Sequence, residues 1–246
     1  MTYCVALRLA EGLVFASDSR TNAGVDHIAT FKKLHTFEVP GERLLVLQSA
    51  GNLATTQSVV SLLRQRCTQP ELSLLHAGSL YQAAEIIGAT VREVIARDGG
   101  QQQTGVNYGC NLLLGGQIQG EVPRLFHLYP EGNFIEASED TPYFQIGESK
   151  YGKPILDRVL TYHSPLDLAL QCALISLDST LRSNLSVGLP LDVLCYRKDS
   201  LHGQPCRIGE QDPAFAQLRQ TWSEGLARLI GQLPPPPASW LGPSQL

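Results

Sequence analysis

Thr2-Tyr3-Cys4-Val5-Ala6-Leu7-Arg8-Leu9, Ala10-Glu11-Gly12 and Leu13-Val14-Phe15-Ala16-Ser17-Asp18-Ser19-Arg20 read as two strands and the turn between them. Strand formers dominate both runs, and the second ends in a polar stretch, as a strand leaving a core does. A hairpin turning near Glu11 folds residue 2 back beside residues 19–21. Asp18 therefore comes close to Thr2 despite the gap in sequence.

Beyond this hairpin, Thr21 to Thr30 is looser and leads into Phe31-Lys32-Lys33-Leu34. Leu44 to Ser49 is an apolar run that ends at Ala50-Gly51-Asn52. Leu53 to Cys67 and Leu80 to Ala96 carry apolar residues at three- and four-residue steps, which predicts two helices. Asp98 to Val106 is rich in Gly and Gln and reads as a mobile loop. Four strands follow at Cys110–Leu114, Leu125–Leu128, Phe134–Ala137 and Tyr143–Ile146, with Pro130-Glu131-Gly132-Asn133 as a hairpin turn. Helices are expected at 150–161 and 165–182, the second with Ser164 as its cap and Pro165 in its first turn. Leu191–Tyr196 reads as a strand and Pro213–Leu229 as an amphipathic helix. The Pro-rich end, Pro234 to Leu246, should be an extended tail.

Strands and helices thus come in runs rather than in strict alternation. That pattern predicts an α+β fold of two mostly antiparallel sheets between helix layers, a four-layer αββα sandwich. Residues 1–233 make one domain in this reading, and 234–246 a tail. A chain of 246 residues with 43% hydrophobic residues can fill a core of that size.

Composition excludes several function classes. A net charge of −4 argues against a nucleic-acid partner, which would need a basic excess. No apolar stretch approaches a membrane span, and the start lacks a signal-peptide pattern, so a cytoplasmic protein is expected. The six cysteines show no C-x-x-C spacing and the histidines no H-E-x-x-H, so neither a metal nor another cofactor is expected. Buried free thiols are the simplest reading of the cysteines. No G-x-x-x-x-G-K-[ST] occurs, so any ATPase partner would be a separate protein.

Four features carry chemistry together. Removal of Met1 would leave Thr2 with a free α-amine of pKa about 7.7–8.0, able to take the proton of its own hydroxyl. Asp18 lies beside it across the hairpin. Lys33 could favour the alkoxide and discourage protonation of the amine, with Asp18 holding it charged and oriented. Gly51, where a strand meets a helix, could present a backbone N–H to an oxyanion. Taken singly, each has a plainer role: a permissive Thr at position 2, a turn Asp, a solvated Lys, a turn Gly.

The segments Thr2–Leu9, Gly12–Arg20, Lys32-Lys33-Leu34 and Ser49-Ala50-Gly51-Asn52, in that order, resemble the opening of a proteasome β-type subunit, an N-terminal-nucleophile hydrolase. Ile146-Gly147-Glu148-Ser149 is similar to the family's Gly-Ser segment, and Arg182-Ser183-Asn184-Leu185-Ser186-Val187-Gly188 to its second polar loop. The resemblance implies the αββα fold, Thr2 as nucleophile, Asp18 and Lys33 in support, Gly51 as oxyanion donor and Ser186 as the retained loop serine. Arg20, Ser149 and Ser183 take supporting positions. Thr21 and Asn22 fall where substrate backbone is held, and Ser49 and Leu53 where the specificity pocket is lined. Of the two lysines, Lys33 matches the catalytic one.

Two departures stand out. Ser183 replaces an Asp that the family usually has, and Glu148 interrupts the Gly-Ser segment so that Ser149 matches with a one-residue shift. Only Met1 precedes the threonine, and the C-terminus is long. This combination looks most like the Anbu group, the bacterial ancestral β subunits. The function implied is self-assembling peptide-bond hydrolysis through an acyl-enzyme on Thr2, in a homo-oligomer of rings or an open spiral acting on peptide or protein substrates. The alternatives are a non-hydrolytic assembly protein on the same scaffold and a monomeric amidase.

Overall fold

Leu9 pairs with Gly12 and Cys4 with Ser17, so the turn of the opening hairpin is Ala10-Glu11 alone. Its strands are β1 (Tyr3–Leu9) and β2 (Gly12–Asp18). The computed structural model describes residues 2–22, 28–99 and 105–240. In chain order there follow β3 (Arg20–Asn22), β4 (Ile28–Thr30), β5 (Leu34–Val39), β6 (Arg43–Gly51), α1 (Leu53–Gln65), α2 (Leu80–Gly99), β7 (Cys110–Ile118), β8 (Arg124–Leu128), β9 (Phe134–Glu136), β10 (Tyr143–Gly147), α3 (Lys153–Val159), α4 (Leu166–Ser183), β11 (Leu191–Arg197), β12 (Cys206–Ile208) and α5 (Pro213–Gln232). Short 3₁₀ turns occupy Arg66–Thr68 and Ala238–Trp240.

One five-stranded sheet has the order β10-β1-β2-β11-β12, the other β5-β6-β7-β8-β9, and every pairing is antiparallel. Strands β3 and β4 form a separate ribbon. Alternate residues of β6 and β7 serve two different cores. Leu44, Val46 and Leu113 meet Cys4, Ala6, Leu13 and Phe15 of the opposing sheet. Leu45, Leu47, Leu112 and Leu114 meet Val59, Val60 and Leu63 of α1 and Ile87, Val91 and Val94 of α2. Both faces of β6 are covered, which is why it reads as an unbroken apolar run. Helix α4 covers the far face of the first sheet, against β1 and β2. The four layers expected are those observed.

The two sheets approach closely over the hairpin. A Cβ on Gly115 would lie 2.6 Å from the Phe15 ring, so β7 gives up a side chain where β2 inserts a large one. This explains why β7 runs on to Ile118 rather than stopping at Leu114, where the Gly-Gly pair reads as a strand end.

Three local expectations are corrected. Ser164 does not cap α4: Pro165 occupies the cap position with an extended ψ of 152°, and the Ser164 hydroxyl instead accepts the Thr161 N–H at 3.0 Å. Helix α2 continues through Asp98 and Gly99, so the loop expected from Asp98 starts later; residues 100–104 lie outside the described part. All six cysteines are free, but Cys195 on β11 and Cys206 on the edge strand β12 are exposed rather than buried.

The chain forms two compact units, Met1–Glu210 and Gln211–Leu246. The second is built on α5, whose start is fixed by Asp212 accepting the Phe215 N–H at 2.9 Å and by Pro213 in the first turn. Within the expected tail, residues 241–246 are outside the described part. No helix among the described residues is long and apolar enough to cross a membrane.

Candidate active site

Asp18 is the last residue of β2 and is wholly buried. Antiparallel pairing brings it opposite Tyr3, whose N–H donates to Asp18 Oδ1 at 3.0 Å. The same oxygen accepts the Lys33 ammonium at 2.7 Å. Oδ2 accepts the Gly188 N–H at 3.2 Å. Burial raises the Asp18 pKa above its ordinary value, and the Lys33 ammonium and the two N–H donors pull it back. A charge in such a place persists only with partners of this kind.

Lys33 stands just before β5, and the adjoining β6 fixes it: the Ser49 N–H donates to the Lys33 carbonyl at 3.0 Å. Lys33 is 4% exposed, and its ammonium is shared between Asp18 and the Arg20 carbonyl at 2.7 Å. Lys32, its neighbour, is exposed. Burial thus separates the two lysines.

Thr2 is half-buried just ahead of β1. Its carbonyl accepts the Glu148 N–H at 2.8 Å. Gly147, opposite Tyr3, has φ +84°, and a Cβ there would sit 1.9 Å from the Thr2 carbonyl oxygen. Only glycine allows β10 to turn away so close to residue 2. Gly51 ends β6 at φ +115°, where a Cβ would meet the Gly109 carbonyl at 2.6 Å. Asn52 then caps α1, accepting the Thr55 N–H at 3.1 Å.

These elements enclose a cleft of about 830 Å³. Thr2, Thr21, Lys33, Ser49, Gly51 and Leu53 all line it, so six of the expected residues meet in one place. Asn22 pairs with Ile28 on the β3–β4 ribbon; its side chain lies outside the described part. Arg20 reaches away, donating through Nη1 to the Leu185 carbonyl at 3.1 Å. Ser149, Ser183 and Ser186 do not line the cleft. Ser149 carries the turn into α3, its carbonyl accepting the Lys153 N–H at 3.2 Å. Ser183 is the exposed last residue of α4. The Ser186 N–H donates to Asn184 Oδ1 at 2.9 Å. The loop bearing Ser186 touches the Asp18–Lys33 pair through the Gly188 N–H.

Sequence reasoning missed the far wall. Beyond the expected Leu53, the residues Thr56, Gln57, Val60, Ser61 and Arg64 continue the same face of α1 along the cleft, and His35 and Glu148 also line it. The helical spacing of the α1 residues was a usable signal, as was His35 two positions beyond Lys33 in an extended segment. Burial, then the nearby Arg64 and Lys32 charges, push the His35 pKa down to about 4. Below the cleft, the buried Tyr3 hydroxyl meets Ser176 Oγ at 2.6 Å and the Gln145 amide, which also donates to the Ser149 carbonyl at 3.3 Å. No group of three or more His, Cys, Asp or Glu among the described residues is placed to hold a metal.

A sandwich of two antiparallel sheets whose first strand starts directly behind residue 2, with that residue lining the cleft, is the architecture of a proteasome-type subunit. The Proteasome subunit family matches residues 2–192, and the chain belongs to that family. Among solved structures it is similar to Anbu (ancestral beta-subunit) from Yersinia bercovieri, 66% identical, covering 96% of this chain and 98% of that one with a TM-score of 0.91. It is likewise similar to the structure described as the helical assembly of the Anbu complex from Pseudomonas aeruginosa: 57% identity, 97% and 100% coverage, TM-score 0.94. Anbu from Hyphomicrobium sp. strain MC1 is 50% identical over 95% of this chain and 99% of that one, with a TM-score of 0.88. Comparison with curated proteins gives no match.

Proposed function

We propose that this chain is a self-assembling, proteasome-like threonine peptidase or amidase that becomes competent when Met1 is removed. The observation that carries the proposal is the buried Lys33 ammonium, held by Asp18 and the Arg20 carbonyl, in the same cleft as Thr2. A surface lysine has no use for a wholly buried carboxylate.

The freed α-amine of Thr2 takes the hydroxyl proton while Oγ attacks a substrate carbonyl. The resulting oxyanion is stabilised by the Gly51 N–H. Collapse returns the proton to the departing amine and leaves an ester on Thr2 Oγ. Water then adds to that ester, giving its proton to the Thr2 α-amine, which passes it to Thr2 Oγ as the acid product leaves with Thr2 regenerated. Lys33 favours the alkoxide and lowers the amine's affinity for protons, so the amine works as a base near neutrality. Asp18 keeps Lys33 in place. Thr21, Asn22, Ser49 and Leu53 hold the peptide, and neither metal nor cofactor enters the chemistry.

The likeness to a relative described as a helical assembly supports a homo-oligomer, in rings or an open spiral, with the clefts facing inward. A second reading, a non-hydrolytic assembly protein, is favoured by the exposed Ser183, which offers no carboxylate where the family usually has one.

Intact-protein mass spectrometry with and without an epoxyketone or β-lactone separates the two. Loss of Met1 and a mass gain on Thr2 are expected. Met1 absent with no gain would leave the assembly reading standing.

A further inference from the structure

Among the described residues three cationic side chains line the cleft, Lys32, Lys33 and Arg64, and of these Lys33 alone is neutralised, by Asp18. The side chains of Lys32 and Arg64 make no hydrogen bond or ion pair with any described residue. Arg64 lies over the Phe37 ring at 5.3 Å, which fixes its stem without cancelling its charge. His35 stands among these groups as a neutral ring, because burial and the same two cations keep protons off it.

Among the described residues the one anion lining the cleft, Glu148, belongs to the Thr2 end, since its own N–H holds the Thr2 carbonyl. Leu53 begins the α1 wall beside Gly51 and Arg64 closes it three turns on, about 16 Å along the axis. His35 lies two residues past Lys33, roughly 7 Å along an extended strand. Unbalanced positive charge therefore lies beyond the reacting end, on a wall that also offers Val60 and Thr56 to a side chain's stem.

We infer that this wall is a carboxylate subsite, and that the cleft takes an aspartate or glutamate as the residue whose carbonyl is attacked, with Lys32 and Arg64 as the partners of its carboxylate. The inference rests on the hydrolytic reading of Thr2 for the placement of the peptide. A neutral side chain there would strip water from two cations and return no charge. A basic one would be repelled. Lys32 and Arg64 are exposed, so the discrimination is modest: about 10-fold for glutamate over glutamine, as for a charge-assisted hydrogen bond in partly screened surroundings.

The test uses the full-length assembled protein in two arms. In the first, calorimetry measures binding of peptides that differ only in Glu, Gln, Leu or Arg at that residue to the Thr2→Ala variant, which cannot be acylated. Glutamate should bind about 10-fold tighter than glutamine, lose that advantage as salt is raised, and lose it in Lys32→Gln/Arg64→Gln. Arg64→Glu should turn the preference toward Arg. In the second arm, the rate of mass gain on Thr2 is followed with peptide epoxyketones carrying the same four side chains. Equal affinity for Glu and Gln, no measurable binding of any of the four, or an unchanged ranking in correctly melting Arg64→Glu overturns the subsite. Discrimination in the first arm with no acylation in the second would sink the hydrolytic reading and leave the subsite standing. Acylation at equal rates would do the reverse.

Discussion

Lys33 Nζ and Asp18 Oδ1 lie 2.7 Å apart where water does not reach, and the carboxylate spends its other lone pairs on backbone N–H groups of β1 and of the loop before β11. One carboxylate therefore joins the chain start, the lysine and the 184–188 loop. Breaking such a pair strands a buried charge, whereas removing both partners does not.

Lys33→Met should lower folding stability by about 3–5 kcal/mol and slow acylation at least ~10²-fold. Asp18→Asn/Lys33→Met should regain most of the stability and none of the rate. Denaturant melts and single-turnover acylation read the two effects separately. Lys32→Met should leave stability and the rate on an uncharged substrate nearly unchanged, and equal losses for the two lysines would contradict the assignment of Lys33.

Thr2→Ala removes the hydroxyl but keeps the carbonyl that accepts the Glu148 N–H. Acylation should vanish while the melting temperature and sedimentation profile stay at those of the unaltered chain. A change in assembly would give Thr2 a structural role instead.

Gly147→Ala puts a methyl group where the Thr2 carbonyl stands, on a backbone at φ +84°. Residue 2 must move, and the expected result is a destabilisation of about 1–3 kcal/mol with a larger proportional loss of acylation rate. Gly41→Ala, also at positive φ but with open space around it, controls for backbone strain alone. Similar acylation losses in both would remove the argument from close approach.

His35 stays neutral down to about pH 4 in the folded chain and takes a proton near 6.5 when unfolded. Between these values the unfolded state binds more protons, so this residue makes stability rise with pH across that window, by at most about 1.4 kcal/mol per unit. His35→Gln should flatten the rise. A pH profile of melting midpoints that is identical in the two proteins would show that His35 is not held neutral.

The sequence made the site more legible than the fold's edges, and the reasons are physical. The short turn at Ala10-Glu11 fixes the register of the opening hairpin, and register alone puts Asp18 beside residue 2. Continuous apolar runs announced β6 because two cores need them. Strand β5 escaped notice because only Leu34 and Phe37 of its six residues are buried, a spacing of three on an edge strand. Strands β3, β4 and β12 are three residues long and carry no pattern. Arg64 and His35 carried only local spacing as a signal, because the wall they share is assembled by packing α1 against the sheet that holds β5 and β6. Ser149, Ser183 and Ser186 were placed by likeness, and the cleft forms without them.

Strand β1 is an inner strand of its sheet, flanked by β2 and β10, and the last backbone group before it is pinned by Glu148. Chain starts ordinarily fray within nanoseconds to microseconds. This one is locked on both sides, so the Tyr3 amide should exchange with deuterium only when the whole molecule opens. Local fluctuation therefore offers no means of switching such a site off, and control has to act on entry to the cleft or on the neighbours that surround it.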